Sequence, residues 1–311
     1  MKFLEINVNG LARCQDIVID ILLKNKIHVL LITEVHRISD SFERKLEAKD
    51  YKLYNNPTFG NVWNGTAIIV HNSLIDDDVV EHIIIQKGRI NKIKLKIFDK
   101  IHHIYCVYLT SGYLLEQSKK RLQEINNIKN NMRSIPQNED NFVIGGDFNF
   151  IESPLDTRKR FYQTNESRLF KDLKNLTEIQ DAYRFLHPRG QQVTHIQGDS
   201  ATRIDRFYTS TSFDKKLIFT DFLSTPFSDH CYAPLLTINK QPKIRWGRGV
   251  WKINETLLTK QNHEEVERIW DDLRKKKVLY PNVLNWWDDA KIKLKKYFIG
   301  KGIKKKKTRN C

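Results

Sequence analysis

Four cysteines in 311 residues, Cys14, Cys106, Cys231 and Cys311, are too few and too scattered for a disulfide framework. None stands in a Cys-x-x-Cys pair, which removes the paired-cysteine motifs and points to a reduced, intracellular protein. Long apolar runs are also missing. No stretch is long enough to cross a bilayer, and the chain opens on the strand-like Lys2-Phe3-Leu4-Glu5-Ile6-Asn7-Val8 rather than on a basic-then-apolar leader. Secretion and a membrane partner are therefore not expected. There is no internal repeat, so arrays and solenoids are excluded as well.

What is present is a 40% hydrophobic chain, enough for one large core or two smaller domains, with a net charge of +16. Such a surplus suggests a polyanionic partner, nucleic acid before an acidic membrane surface; the plainer reading is solubility. Residues 241–311 hold 20 of the 53 basic and 8 of the 37 acidic residues, a net of +12. The first 240 residues are close to balanced at +4. A nucleic-acid reading of the body must rest on particular residues.

Two regions follow, 1–240 and 241–311. In the first, short β-branched runs at 3–8, 29–33, 51–54, 66–71, 80–85, 92–98, 104–109, 142–146, 203–209 and 232–238 read as strands. Helical spacing marks 11–24, 116–132 and 166–176, with Ile17, Ile21 and Leu22 expected on the buried face of the first. Many strands and few helices suggest stacked sheets covered by helices. Residues 240–252, rich in Lys, Arg and Gly with Trp246 and Trp251, read as a linker. Helices are expected at 263–277 and, behind Pro281, at 283–298, where Leu284, Trp287, Leu294 and Phe298 fall near one face. The Lys304–Lys307 run with Arg309 is an import or phosphate-binding patch, or simply a solvated end.

Hydrolysis of a phosphodiester needs neutralised phosphate charge, a positioned water and help for the leaving oxygen. Carboxylates at the ends of neighbouring strands can hold a hard cation such as Mg²⁺. Several segments offer such groups. Asn7 and Asn9 end the first strand, and Glu34 follows the apolar run 29–33. Gly145-Gly146-Asp147-Phe148-Asn149 ends another strand, where glycines are expected to allow a tight turn. Asp205 lies inside a strand-like segment, where Asp is depleted, and could orient a histidine. Its plainer role is an edge-strand salt bridge with Arg203 or Arg206. Ser228-Asp229-His230 precedes the last strand of the body. Taken singly, each also reads as a polar turn or cap. His36 and the pair His102-His103 read as exposed bystanders.

The order Asn-x-Asn-Gly, Glu after an apolar strand, Gly-Asp-x-Asn, Ile-Asp, Ser-Asp-His resembles the endonuclease/exonuclease/phosphatase superfamily, which includes AP endonucleases and DNase I; the likeness covers about residues 2–238. It implies a four-layered α/β sandwich, two packed mixed β-sheets flanked by helices, here with a C-terminal helical extension. It also implies a Mg²⁺-dependent phosphodiesterase, with Mn²⁺ as a substitute. Glu34, Asn7, Asn9 and Asp229 match the metal-side residues. Asp147 and Asn149 match the pair that orients the attacking water, and Asp205 with His230 matches the hydrogen-bonded pair at the scissile phosphate. Tyr108 matches a phosphate-contacting tyrosine, while Ser111, Arg203 and Ser228 are candidates for DNA contact. Three positions depart from the pattern: Thr110 and Ser111, in Tyr108-Leu109-Thr110-Ser111, stand where relatives have the Pro and Asn of Tyr-x-Pro-Asn, and Thr33 stands where they often have Gln.

Trp246-Gly247-Arg248-Gly249-Val250-Trp251, then Trp270 and Trp286-Trp287, resemble the segment after the endonuclease domain of LINE-type non-LTR retrotransposon proteins, in which a reverse transcriptase follows. This likeness implies an enzyme that nicks one strand of double-stranded target DNA and leaves a 3′-hydroxyl for reverse transcription. It also implies element RNA as a partner of the basic tail, and a nuclear site of action after a cytoplasmic stage. Packing in a helical hairpin is the plainer role for Trp270, Trp286 and Trp287. Alternatives on the same fold are AP endonuclease, phosphoinositide phosphatase or sphingomyelinase activity. A non-catalytic nucleic-acid-binding remnant is a third reading.

Overall fold

A computed structural model describes residues 1–58, 64–75, 80–97, 100–136, 141–238, 253, 255–280 and 282–307. The expected linker with Trp246 and Trp251, the helix-start Pro281, and Arg309 of the basic cluster lie outside the described residues. The chain divides into two compact units, Met1–Gln241 and Pro242–Cys311.

The first unit contains two six-stranded sheets. One is built from β1 (Lys2–Asn7), β2 (Val29–Thr33), β3 (Tyr51–Asn56), β4 (Thr66–His71), β13 (Leu217–Ser224) and β14 (Tyr232–Ile238), in the order β13-β14-β1-β2-β4-β3. The other is built from β5 (Val80–Gln86), β6 (Ile90–Ile97), β7 (Lys100–Tyr108), β8 (Asn141–Asp147), β9 (Ile179–Asp181) and β12 (Asp205–Ser210), in the order β5-β6-β7-β8-β12-β9. A short hairpin, β10 (His195–Gln197) and β11 (Ser200–Thr202), pairs apart from both. Each sheet is mixed in the same way: its central pair, β1–β2 or β7–β8, is parallel, and its other pairs are antiparallel. A parallel pair needs a long crossover. Helix α1 (Gln15–Asn25) supplies the first and α3 (Leu115–Arg133) the second.

Four layers follow from where the apolar side chains go. Phe3, Val29, Leu31 and Ile68 of one sheet meet Ile104, Cys106, Val143 and Phe207 of the other in a central core. The opposite face of the first sheet, with Leu4, Ile6 and Leu30, is covered by α1 and by α2 (Asp40–Glu47) through Val18, Leu22, Phe42 and Leu46. The outer face of the second sheet, with Tyr105, Ile144 and Tyr208, is covered by α3 and α4 (Asn165–Thr177) through Ile125, Ile128, Phe170 and Leu173. A further short helix, α5 (Ala182–Leu186), carries Ala182 into the central core.

Several expectations need correction. The buried stripe of the first helical segment is Leu11, Cys14, Val18 and Leu22, while Ile17 is exposed and Ile21 half-buried, because the stripe is set by the residues entering the helix. Strand β13 and helix α2 were not anticipated. Gly145 and Gly146 do not make a turn; they lie inside β8. A Cβ on Gly145 would stand 2.5 Å from Phe207 and 2.6 Å from Leu31, and one on Gly146 only 1.8 Å from the Val107 carbonyl oxygen. These glycines let a strand and the opposite sheet come close. His102 and His103 are buried, beside Phe213 and Phe142 respectively, and are not exposed bystanders.

The second unit contains α6 (Lys260–Lys275) and α7 (Val283–Lys307). Trp270, Trp286 and Trp287 form a ring cluster with centroids 5.7, 5.9 and 6.2 Å apart, and the Trp286 indole N–H donates to the Leu273 carbonyl at 2.8 Å. The buried line of α7 runs Trp286, Ala290, Phe298, so Leu284 and Trp287, expected on that face, are exposed.

Candidate active site

Both parallel pairs point their C-terminal ends at one place. β1 ends at Asn7, β2 is followed by Glu34, β7 ends at Tyr108 and β8 at Asp147. Side chains alternate along a strand, so Asn7 shares the inner face with Phe3, and Asp147 shares it with Val143. The Asn7 amide joins the two sheets, donating to Glu34 Oε1 at 3.0 Å and Asp147 Oδ2 at 3.2 Å. Its own carbonyl oxygen accepts the Asn9 N–H at 3.1 Å. Asn7 is thus a donor hub between the sheets, and Asn9 contributes its backbone N–H to it.

Asp147 also accepts from Asn149, through the backbone N–H at 3.0 Å and the side-chain amide at 3.0 Å; that amide reaches the Leu109 carbonyl at 2.9 Å as well. Asn149 occupies the left-handed region at φ 50°, which Asn tolerates better than most residues. Directly across the antiparallel β8–β12 pair, Asp205 faces Asp147. Like charges opposite one another weaken a sheet, and both carboxylates are buried. Asp205 Oδ2 lies 2.7 Å from His230 Nδ1, and Thr194 Oγ1 receives the Asp205 N–H at 3.2 Å. His230 is delivered by the loop before β14, held through the Thr225 hydroxyl bonded to its carbonyl and the Ser228 hydroxyl receiving its N–H at 3.2 Å. His230 Nε2 stands 3.7 Å from Asp147 Oδ2.

Burial alone would lower the His230 imidazolium. Asp205, then Asp147 and Glu5, outweigh it and hold the ring well above the usual histidine range. Its Nε2 lies 3.2 Å from the Asn7 amide nitrogen. The two amide hydrogens are accounted for by Glu34 and Asp147, so a protonated Nε2 keeps its own N–H for another acceptor. Asp147 is pushed up to about 7, by burial first and by Asp205 second. Tyr108 donates its hydroxyl to Glu34 Oε1 at 2.8 Å, and burial, followed by Glu34, raises its pKa far above the ordinary value.

Asn7, Glu34, Tyr108, Asp147, Asn149, Asp205 and His230 therefore come together. Glu34, Ser111, Asp147, Asn149, Asp229 and His230 line a cleft of about 560 Å³. Asp229 is exposed there, whereas Ser228 braces the loop. Arg203 is not in the cleft. It is 1% exposed, with its guanidinium 2.8 Å from Asp156 and 2.6 Å from Asp181. A DNA contact by Arg203 is ruled out by that burial, and so is a salt bridge from Arg203 to Asp205.

Two residues escaped the sequence reading. Glu5 is fully buried on the inner face of β1, and among the described residues its carboxylate has only Thr33 Oγ1, at 3.3 Å, as a hydrogen-bond partner. Burial, then Asp205 and Asp147, raise its pKa well above the ordinary value. An acid at an inward position of an apolar strand was the available signal. His195 packs its ring 4.8 Å from that of His230 across a β-bridge, and no local pattern marks it.

Two packed mixed sheets with buried acids and a histidine at their shared end define the class of hydrolytic nucleases and phosphatases. The chain belongs to the Endonuclease/Exonuclease/phosphatase family, which it matches over residues 4–230. Its fold is similar to an AP endonuclease from Archaeoglobus fulgidus (17% identity, TM-score 0.65, covering 77% of this chain and 100% of that one). It is likewise similar to a 3′ phosphatase, NExo, from Neisseria bound to product DNA hairpin (18% identity, TM-score 0.63, 77% and 100%) and to the Xenopus laevis APE2 catalytic domain (16%, 0.63, 76% and 91%). In sequence it is 22% identical over 259 residues to the "Transposon TX1 uncharacterized 149 kDa protein" of Xenopus laevis. That alignment takes in 80% of this chain but 19% of the relative, so the chain spans about a fifth of that protein's length.

Proposed function

We propose that the chain is a divalent-cation-dependent endonuclease that cuts one strand of double-stranded DNA and leaves a 3′-hydroxyl. The observation that carries this reading is the buried Asp205–His230 pair set against Asp147, an imidazolium beside a carboxylate that titrates at about 7.

The donor set suits a hard cation. The Asp147 and Asp205 carboxylates face each other in the sheet, Asp205 Oδ1 is buried without a hydrogen-bond partner among the described residues, and Glu34, Asp147 and Asp229 line one cleft. Glu34, Asp147 and Asp229 are the residues that would hold Mg²⁺ or Mn²⁺ beside the cleft. When bound, such an ion neutralises phosphate charge and acidifies water.

The residues divide the remaining work. Asp147, fixed by Asn7 and Asn149, accepts the proton of a water whose oxygen attacks phosphorus. His230, kept charged by Asp205, presents its Nε2 hydrogen to a phosphate oxygen as negative charge develops there. The P–O3′ bond breaks, the leaving O3′ takes up a proton from solvent as a 3′-hydroxyl on the upstream strand, and the phosphate, now bonded to the water oxygen, stays as the 5′ end of the downstream strand.

The transposon relative supports assigning the nick to target-primed reverse transcription in a LINE-type element, with a reverse transcriptase in the longer protein, RNA held by the basic tail, and a nuclear site of action. The test is nicking of supercoiled plasmid with Mg²⁺, alongside phospholipid head groups as rival substrates. Hydrolysis of head groups without nicking would replace this reading with the phosphatase one. RNA binding that does not weaken with salt would remove the role given to the tail.

A further inference from the structure

The segment between Tyr108 and α3 forms one wall of the cleft, where Ser111 and Gly112 lie. It is fastened by two α3 side chains one turn apart. Glu124 takes both donors of Thr110, the N–H at 2.8 Å and the hydroxyl at 2.7 Å, one on each carboxylate oxygen. Arg121 Nη1 reaches the carbonyls of Thr110 at 2.9 Å and Gly112 at 2.7 Å. Its Nε and Nη2 sit 3.0 and 2.9 Å from Glu166 Oε1 on α4. From the other side, Arg89 lies 4.6 Å over the Tyr108 ring and 4.0 Å from Glu124.

Arg121 and Glu124 are both buried, and burying charges is costly unless every bond they make is used. Here four of the bonds end on the cleft wall, at Thr110 and Gly112. Thr110 matters as well: a proline there, as in the resembling Tyr-x-Pro-Asn pattern, would have no N–H for Glu124. We infer that Arg121 and Glu124 are positioning residues for phosphodiester cleavage, replacing a rigid proline with a hydrogen-bonded strap that holds Tyr108 and Ser111 toward the scissile phosphate. This rests on the hydrolase reading given above.

Arg121→Lys keeps a cation for Glu166 but loses the two-carbonyl grip. Its kcat per folded molecule in a duplex-nicking assay should fall about tenfold to hundredfold, the size expected of an ångström-scale misplacement, with KM little changed and the protein still folded at the assay temperature. Combined with Tyr108→Phe, the loss should be smaller than the product of the single losses, because both act through one wall. A kcat within twofold of native, a multiplicative double loss, or a fall that tracks loss of folded protein would each overturn the inference. Bis(p-nitrophenyl) phosphate serves as a second substrate. A native chain that hydrolyses it but nicks no DNA defeats the DNA reading while the strap is still judged on this substrate. A chain that hydrolyses neither defeats both.

Discussion

Both units carry exposed ion pairs, but among the described residues it is the first that also buries charged side chains. In the first, Arg203, Arg206, Arg121, Asp147, Asp205, Glu5 and His230 are turned inward. In the second, charges lie on the surface as helix ladders: Asp272 with Lys276, Asp288 with Lys291, Asp289 with Lys293. Inward charge costs desolvation and persists only where geometry or chemistry uses it. Outward charge is nearly neutral to stability. The unit whose composition looked unremarkable therefore contains the informative charges, while the strongly basic unit shows them solvated.

The sharpest way to break this contrast is to remove buried groups whose value lies in chemistry. His230→Ala and Asp147→Ala should each lower Mg²⁺-dependent nicking by about 10²–10⁴, while the protein stays folded by circular dichroism. Variants that nick as well as the native chain would leave the cluster without its assigned role.

Next comes a buried charge whose value is structural. Arg203→Met leaves Asp156 and Asp181 buried, with Asp156 still held by Arg184. Urea unfolding should show a loss of about 3–5 kcal/mol, the usual result of breaking one side of a buried ion pair. A midpoint equal to native would mean that the triad contributes nothing.

A smaller effect is tied to pH. In metal-free protein Asp147 titrates at about 7 against an ordinary 3.8, so the folded state binds the proton more tightly than the unfolded one. The resulting stability is complete below about pH 3.8 and is lost as pH rises through 7. His230, also raised, acts in the same direction, its contribution lost only above the usual histidine range. Melting temperatures of the metal-free chain should therefore fall between pH 4 and 7, less so in Asp147→Asn, and Mg²⁺ should restore more at pH 7 than at pH 5. A slope identical in the variant would contradict this origin.

The smallest effect is predicted on the surface. Lys291→Gln separates an exposed i,i+3 pair with Asp288 and should not move the melting midpoint measurably. A clear drop would show that the second unit depends on its ladders after all.

What the sequence made legible follows the same division. Strands 29–33 and 66–71 were read with their observed ends because an apolar run stops at a polar residue, which is a local event. Glu34 and Asp147 sit at such ends and His230 just before a strand, but only the order of these motifs along the chain made them legible as one site. β13 was missed because its residues Leu217–Ser224 mix apolar and polar types without clean alternation. α2 was missed because only Phe42 and Leu46 are buried among charged neighbours. Arg203 was misread because its partners, Asp156 and Asp181, lie 47 and 22 residues away, and an arginine beside an acidic motif suggests phosphate. Gly145-Gly146 was assigned to a turn because the sheet that crowds it belongs to another part of the chain.

The strand order of the first sheet has a consequence for the order in which the molecule is made. Within its unit β1 is made before the other described strands, yet one of its two neighbours is β14, which is made after them. His230 lies just before β14, so the last side chain of the proposed site arrives together with the strand that completes the sheet. Synthesis interrupted before residue 230 yields a product that lacks both. The order of the strands thus delays the site's competence until nearly all of its fold has been translated.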